Sequence, residues 1–385
     1  MRIILIASYS GTSGANHSLV NLAYYLKENH QVNLKVVIPR HGPVEEMLKE
    51  KNIDYLIIKY YSWVRRNEKQ TLFEKVKWKV QELVNKISES RLKQKSWMRN
   101  ADLVHINAST TNFGYKLAKD LQIPLIWHIR EFLEEDLNKT FWNNDKAYTQ
   151  LSQAESVICI SNSVKSKYEK ILDSKKLVKI YNGIDTTIYQ DNFNNPFTSQ
   201  KTKLIFAGRI VREKGVHEAV KAMKLVAEYN NNVELNIYGD IANQDYYDNI
   251  ENYINKHRLN NIVHLIGYTN SIEIEWKKSD IGLVCSSAEA FGRVTIEGML
   301  SKTLVIGANT AGTSELISDK YGLLYHQGNV SDLSKKILWA IDNQSKSKKI
   351  IENAYDYATK KFTAENNAKN IFELYQTITC DSKTK

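Results

Sequence analysis

Short runs of aliphatic and β-branched residues alternate with longer amphipathic stretches along almost the whole chain. In order they are RIILIA, VNLKVVI, YLIIK, LVHIN, PLIWHI, SVICIS and KLVKIYN. After a polar interval come KLIFAG, VELNIYG, NIVHLIG, IGLVCSS, TLVIGA and GLLYH. Runs that are apolar throughout, rather than alternating, suit strands buried on both faces, and helices between them supply the covering layers of a parallel sheet. The pattern predicts seven strands and then six. The interval DTTIYQDNFNNPFTSQKT is polar and Asn-rich, and residues 186–202 of it read as an interdomain linker. The expected organisation is an α/β domain over 1–185, a second over 203–360 and a terminal helix over 361–385. Phe362, Ala368, Ile371, Phe372 and Tyr375 mark the buried face of that helix. Two doubly wound domains of this kind face each other across a cleft at the carboxyl ends of their strands.

Composition narrows this picture. A chain of 385 residues favours two domains. With 42% apolar and 25% charged residues it reads as globular, not disordered. Cys159, Cys285 and Cys380 are widely spaced and show no metal pattern, which suits a reducing cytosol. MRIILIA is too short for a signal-peptide core and reads as the first strand. No run approaches the roughly 20 apolar residues that span a bilayer, so a membrane role is expected to be peripheral.

Charge is unevenly placed. Of a net +10, the window from Lys59 to Arg99 carries +8, from twelve basic and four acidic residues. Within it, LFEKVKWKVQELVNKI has apolar residues at 72, 73, 76, 80, 83, 84 and 87 with lysines beside them. Trp63, Trp78 and Trp97 are interleaved. Such a helix suits an anionic membrane surface, and it equally suits a core-packed helix with solvated charges. Nucleic acid is not expected as a partner, because no binding module shows itself and the basic residues sit in one helical region.

The chemistry begins with EAFGRVTIEGML, Glu289 to Leu300. Eight residues of helix advance about 12 Å and rotate about 80° net, so two glutamates on one helix would not share a face. A helix starting near Gly292 or Arg293 instead leaves Glu289 in the loop ahead and Glu297 more than a turn inside. Amides at such a start attract phosphate, and an acid on each side can accept from hydroxyls that flank it. A nucleotide sugar has this layout. Two solvated acids near a helix start would have the same spacing.

GRIVREKG, Gly208 to Gly215, follows KLIFA. Its turn can aim Arg209 and Lys214 at one diphosphate, with charge-assisted bonds contributing roughly 1.5–3 kcal/mol each. It is neither a dinucleotide fingerprint nor a Walker loop, and a solvated basic loop remains open. GTSGANHS opens a helix after the first strand with small residues, Gly14 among them, a weak signal alone. WHIRE places His128 at a strand end, where a satisfied core histidine is the competing reading. Gly239 in IYGD and Gly267 and Tyr268 in HLIGYTN stand at further strand ends.

Taken together these residues resemble the retaining glycosyltransferases of family 4, which have the GT-B fold. The resemblance covers nearly the whole chain: the glycine loop, the His128 strand end, IYNGID, the Gly208–Gly215 loop, the E-x7-E, AGTSELI and YGLLYHQGN. It implies that Arg209 and Lys214 bind the donor diphosphate. Glu289 would contact the donor sugar beside the amides of Ala290, Phe291 and Gly292, and Glu297 would hold the ribose. His128 would contact the sugar from the first domain, and Gly14 would approach phosphate or acceptor. Gly208, Gly239 and Tyr268 complete the expected donor pocket.

The resemblance further implies a nucleotide-sugar co-substrate, no cofactor and no metal. It implies surface polysaccharide synthesis, and the basic helix over 72–87 suggests docking at the cytoplasmic face of the membrane, where a glycan acceptor carried on polyprenyl diphosphate would be presented. The final helix would cross back to the first domain. Lys302 and Leu304 depart from the family's usual glycine and proline, and Gly298 from its usual alanine, at about 1 kcal/mol in a helix interior. A nucleotide-sugar epimerase or phosphorylase-like enzyme would use the same frame. A catalytically silent membrane adaptor is the reading from another class, and intact Arg209, Lys214, Glu289 and Glu297 speak against it.

Overall fold

Each of the thirteen apolar runs holds a β-strand. The computed structural model describes residues 1–189 and 195–383. Its chain divides into two units, Met1–Gly183 with Ala364–Lys385, and Ile184–Thr363. In the first unit the strands are β1 Arg2–Ile6, β2 Asn33–Ile38, β3 Tyr55–Ile57, β4 Val64–Arg66, β5 Leu103–Ile106, β6 Leu125–Ile129, β7 Lys139–Phe141, β8 Ser156–Cys159 and β9 Leu177–Lys179. Seven of these form one sheet in the order β3-β2-β1-β5-β6-β8-β9, parallel at every pairing. The second unit has β10 Thr202–Ala207, β11 Val233–Tyr238, β12 Val263–Gly267, β13 Ile281–Val284, β14 Leu304–Ala308 and β15 Leu323–Tyr325. They form a six-stranded parallel sheet, β12-β11-β10-β13-β14-β15. Ile3 to Ile6 in the first sheet, and Leu204 and Ile205 in the second, are wholly buried, as strands covered on both faces must be. The fold is the expected α/β GT-B arrangement of two Rossmann-like sheets.

One pairing has no counterpart in the hydrophobic pattern. β4 and β7 form a separate antiparallel pair. Their sequences, VRR and KTF, carry no apolar run to announce them.

The helices used below are α1 Gly14–His30, α2 Leu72–Lys93, α3 Arg293–Leu300, α4 Gln344–Lys361 and α5 Ala364–Lys383. The boundaries between units differ from the polar-interval reading. Residues 190–194 of the expected linker lie outside the described residues. Its described flanks pack into the second unit, because Tyr189 and Phe197 are apolar anchors in an otherwise polar stretch. At the far end Phe362 stays with the second unit, buried against Phe291 and Tyr357, so the return to the first unit starts at Ala364 rather than 361. The Ile184 N–H donates to the Phe362 carbonyl (2.8 Å), and Ile184 and Thr363 form an isolated bridge, so the segments that enter and leave the second unit meet there. α5 then packs on α1, with Ala368, Ile371 and Tyr375 in the core of the first unit.

α2 reverses the usual placement of polar and apolar residues. Thr71 and Glu74 form a reciprocal capping box at its start. Its buried residues are Asn85, Glu89 and Leu92. Asn85 bonds both the N–H and the carbonyl of Tyr61, and the Glu89 carboxylate accepts from the Gly114 N–H (2.7 Å). Burial pushes the Glu89 carboxyl up to about 7. The apolar stripe faces outward instead: Leu72 is 82% exposed, Phe73 76%, Val76 61% and Leu83 57%. Among the described residues no helix is long and apolar enough to cross a membrane.

Candidate active site

In the second unit the carboxyl ends of β12, β11 and β10 run into Gly267, Gly239 and Gly208. The Gly208 N–H donates to the Tyr238 carbonyl (2.9 Å) and the Gly239 N–H to that of Gly267 (2.9 Å). A Cβ on Gly239 would lie 1.9 Å from the Gly208 carbonyl oxygen. Only glycine lets these two segments meet, and their contact sets the start of the loop that carries Arg209, which is exposed, and Lys214. Tyr268, just beyond Gly267, is 62% exposed.

Lys214 closes a short 3₁₀ turn, Arg212–Lys214. Its Nζ donates to Glu289 Oε1 at 2.7 Å, with the two side chains 15% and 13% exposed. The Ser286 hydroxyl donates to the same oxygen (2.8 Å). The Ser287 N–H donates to the Glu213 carbonyl (2.9 Å), and the Gly312 N–H to the Glu289 carbonyl (2.8 Å). The basic loop and the loop ahead of α3 are therefore fastened to each other at two points. α3 begins at Arg293, after buried Ala290, Phe291 and Gly292, and Gly292 supplies no side-chain cap to its first amides.

Glu297 lies one turn further on. Arg293 Nε donates to its Oε1 (2.7 Å), and the Glu297 side chain is 12% exposed. Burial pushes this carboxyl above its ordinary value, opposed by the Arg293 guanidinium. Glu289 and Glu297 thus share one design. In each, Oε1 is held by a cation of the protein, and Oε2 makes no hydrogen bond among the described residues. Such an oxygen can accept from a ligand hydroxyl. Arg293 Nη1 and Thr295 Oγ1 are buried polar atoms without a hydrogen bond among the described residues.

In the first unit Gly14 is exposed at the start of α1, where the Ser13 hydroxyl caps the Asn16 N–H. Asn16, fully buried, donates from Nδ2 to the carbonyls of Tyr9 and Gly11 and closes the glycine loop. Asn107 bridges this loop to the His128 strand end. Its Nδ2 donates to the Ala15 carbonyl (3.1 Å), and its Oδ1 accepts from Arg130 Nε (2.9 Å). Arg130 Nη2 reaches His128 Nδ1 at 3.2 Å. His128 is wholly buried, and burial and the Arg130 guanidinium hold its imidazole well below the usual histidine range.

Two family models divide the chain between them. The model for Glycosyltransferase Family 4 matches residues 12–188 and that for glycosyl transferases group 1 matches 188–357. An uncharacterized glycosyltransferase of Methanocaldococcus jannaschii, MJ1178, is 27% identical over 348 residues, 87% of this chain and 93% of its own. The CapM glycosyltransferase of Staphylococcus aureus capsular polysaccharide biosynthesis is 23% identical over 60% of this chain and 64% of its own. HepE of Anabaena, solved with UDP, superposes with a TM-score of 0.80 over 98% of this chain and all of its own, at 20% identity. The chain is a glycosyltransferase of the GT-B fold.

For this glycosyltransferase, the structure joins Lys214 to Glu289, sets both beside the start of α3, and seats Gly208 against Gly239. Arg209 and Tyr268 reach solvent beyond the ends of β10 and β12, the strands on either side of β11. Gly14 and His128 belong to the first unit, joined there through Asn107 and Arg130. Spacing did not reveal Asn16, Asn107, Arg130 or Arg293. Arg130 and Glu131, two charges directly after the apolar run LIWHI, were the available signal. Both are 7% exposed, and charges at a strand end are seldom buried without partners.

Proposed function

We propose that this glycosyltransferase moves a sugar from a nucleoside-diphosphate donor to a glycan acceptor carried on polyprenyl diphosphate, with retention at the anomeric carbon. The observation that carries the donor reading is the Lys214–Glu289 junction at the start of α3. It sets a cation, a helix N-terminus and an acid with an open oxygen side by side. Arg209, Lys214 and the helix end neutralise the charge that develops on the departing diphosphate. Glu289 Oε2 accepts from a donor-sugar hydroxyl and Glu297 Oε2 from the ribose. This arrangement carries the diphosphate charge without a divalent cation. HepE has been solved with UDP and with UDP-glucose, which makes uridine diphosphate sugars the first donors to test. The role of CapM in capsular polysaccharide biosynthesis supports a surface glycan as product.

The outward apolar face of α2 supports a membrane-presented acceptor. Leu72, Phe73, Val76, Val80, Leu83 and Ile87 are exposed along it, with Lys75, Lys77, Lys79 and Lys86 alongside. Apolar side chains that enter the acyl boundary while lysines meet anionic headgroups suit the cytoplasmic face of a membrane.

The donor reading is tested by transfer from nucleotide sugars with Lys214→Ala. Loss of one charge-assisted contact lowers kcat/KM by about tenfold to a hundredfold, and excess chelator leaves the wild-type rate unchanged. Near-normal transfer by a folded Lys214→Ala protein would remove Lys214 from the role.

A further inference from the structure

Behind His128 lies a buried chain of hydrogen bonds that ends on the returning helix. Tyr375 of α5 places its hydroxyl 2.6 Å from His105 Nδ1. His105 Nε2 lies 3.3 Å from His128 Nδ1. Arg130 Nη2 lies 3.2 Å from that same Nδ1. Asn107 and Asn182 hold the other guanidinium nitrogens. His105, His128 and Tyr375 are all wholly buried.

The proton positions follow from the one group that cannot give up its charge. A guanidinium only donates, so His128 Nδ1 must present its lone pair, and the His128 proton sits on Nε2. His105 Nε2 faces that same lone pair and must itself be N–H. His105 Nδ1 is then a lone pair, and the Tyr375 hydroxyl donates to it. Both imidazoles are neutral: burial, with Arg130 beside it, pushes His105 down to about 3 and holds His128 low as well. The chain of donors leaves one hydrogen over. His128 Nε2 is buried and has no hydrogen-bond partner among the described residues.

We propose that Arg130, His105 and Tyr375 are positioning residues that lock His128 as a neutral Nε2–H donor for a ligand oxygen at the end of β6. The helix that returns from the second unit thereby sets the hydrogen-bonding sense of a residue at the end of β6. A histidine free to exchange tautomers would offer a lone pair to that oxygen part of the time. The fixed tautomer removes this loss and excludes ligands that present only a donor there.

The test is a long-range 1H–15N correlation spectrum of the histidine-labelled full chain, with His128 assigned from His128→Gln. Without any donor, both His105 and His128 are expected neutral and protonated at Nε2 near pH 7. Tyr375→Phe keeps the ring in the core and removes the hydroxyl. It is expected to mix the His105 tautomers and lower kcat about tenfold with the donor KM within about twofold. His128→Gln, whose amide nitrogen can stand at the Nε2 position, should retain more activity than His128→Asn.

A His128 protonated at Nδ1 or charged, or a Tyr375→Phe protein with unchanged spectrum and unchanged kcat, would overturn the relay. The spectrum needs no turnover, so it judges the relay even if the chain transfers no sugar. Expected tautomers with a His128 Nε2 signal that UDP-glucose leaves unmoved, while Lys214 proves necessary for transfer, would retain the relay geometry and overturn its ligand contact.

Discussion

Gly298 occupies a helix interior, where alanine is the better helix former by about 1 kcal/mol. Its surroundings explain the glycine. A Cβ there would lie 2.7 Å from Val305 Cγ2 and 3.0 Å from the Trp276 ring, and on the other side Gly282 would meet the same ring at 2.2 Å. The wholly buried Trp276 indole is wedged between two glycines, directly behind the helix that bears Glu297. Gly298→Ala is therefore expected to lower stability by about 1–2 kcal/mol despite the propensity gain, read as a fall in the denaturation midpoint. A rise would show that the wedge is loose. Lys302 keeps the turn that the family closes with glycine, at φ 54. Its ammonium bonds Glu352 and lies over the Tyr355 ring, contacts that offset the left-handed backbone. At this scale the sequence singled out Lys214, Glu289 and Glu297, because their proposed roles depend on spacing within two short segments. Asn107 and His105 stayed hidden, and Tyr375 showed only as a core position, because their hydrogen bonds run to partners on distant elements and have no local pattern.

At the scale of elements, strands that are apolar on both faces could be read directly, and all thirteen are present. β4 and β7 could not, since three polar or mixed residues gain their order only by pairing. The periodicity of α2 showed a stripe but not which way it points. Asn85 and Glu89 decide that, by bonding Tyr61 and Gly114 and turning the polar side inward. If the outward stripe docks on lipid, the full chain binds vesicles containing anionic phospholipid. Charge reversal of Lys75, Lys77 and Lys79 together changes the charge by six units and should then weaken binding by about 6 kcal/mol, at about 1 kcal/mol per charge, and added salt should weaken it too. Binding indifferent to both would refute electrostatic docking, and no binding at all would refute the membrane role.

At the scale of the whole molecule, the chain enters the second unit at Ile184 and leaves it at Thr363. The apolar anchors Tyr189, Phe197 and Phe362 set where each unit ends, and this is why a polar interval alone misplaced the boundaries. Each unit holds its own cluster of polar groups: Lys214, Glu289 and Glu297 around α3 in one, the Asn107–Arg130–His128 network in the other. The central claim is that the diphosphate of a nucleotide sugar seats on the second unit at the Lys214–Glu289 junction. The most direct measurement is a crystal structure of the protein with uridine diphosphate. The account predicts phosphate oxygens within hydrogen-bonding reach of Lys214 Nζ and the first amides of α3, with ribose hydroxyls on Glu297. A nucleotide bound elsewhere, with Lys214 and Glu297 untouched, would contradict it.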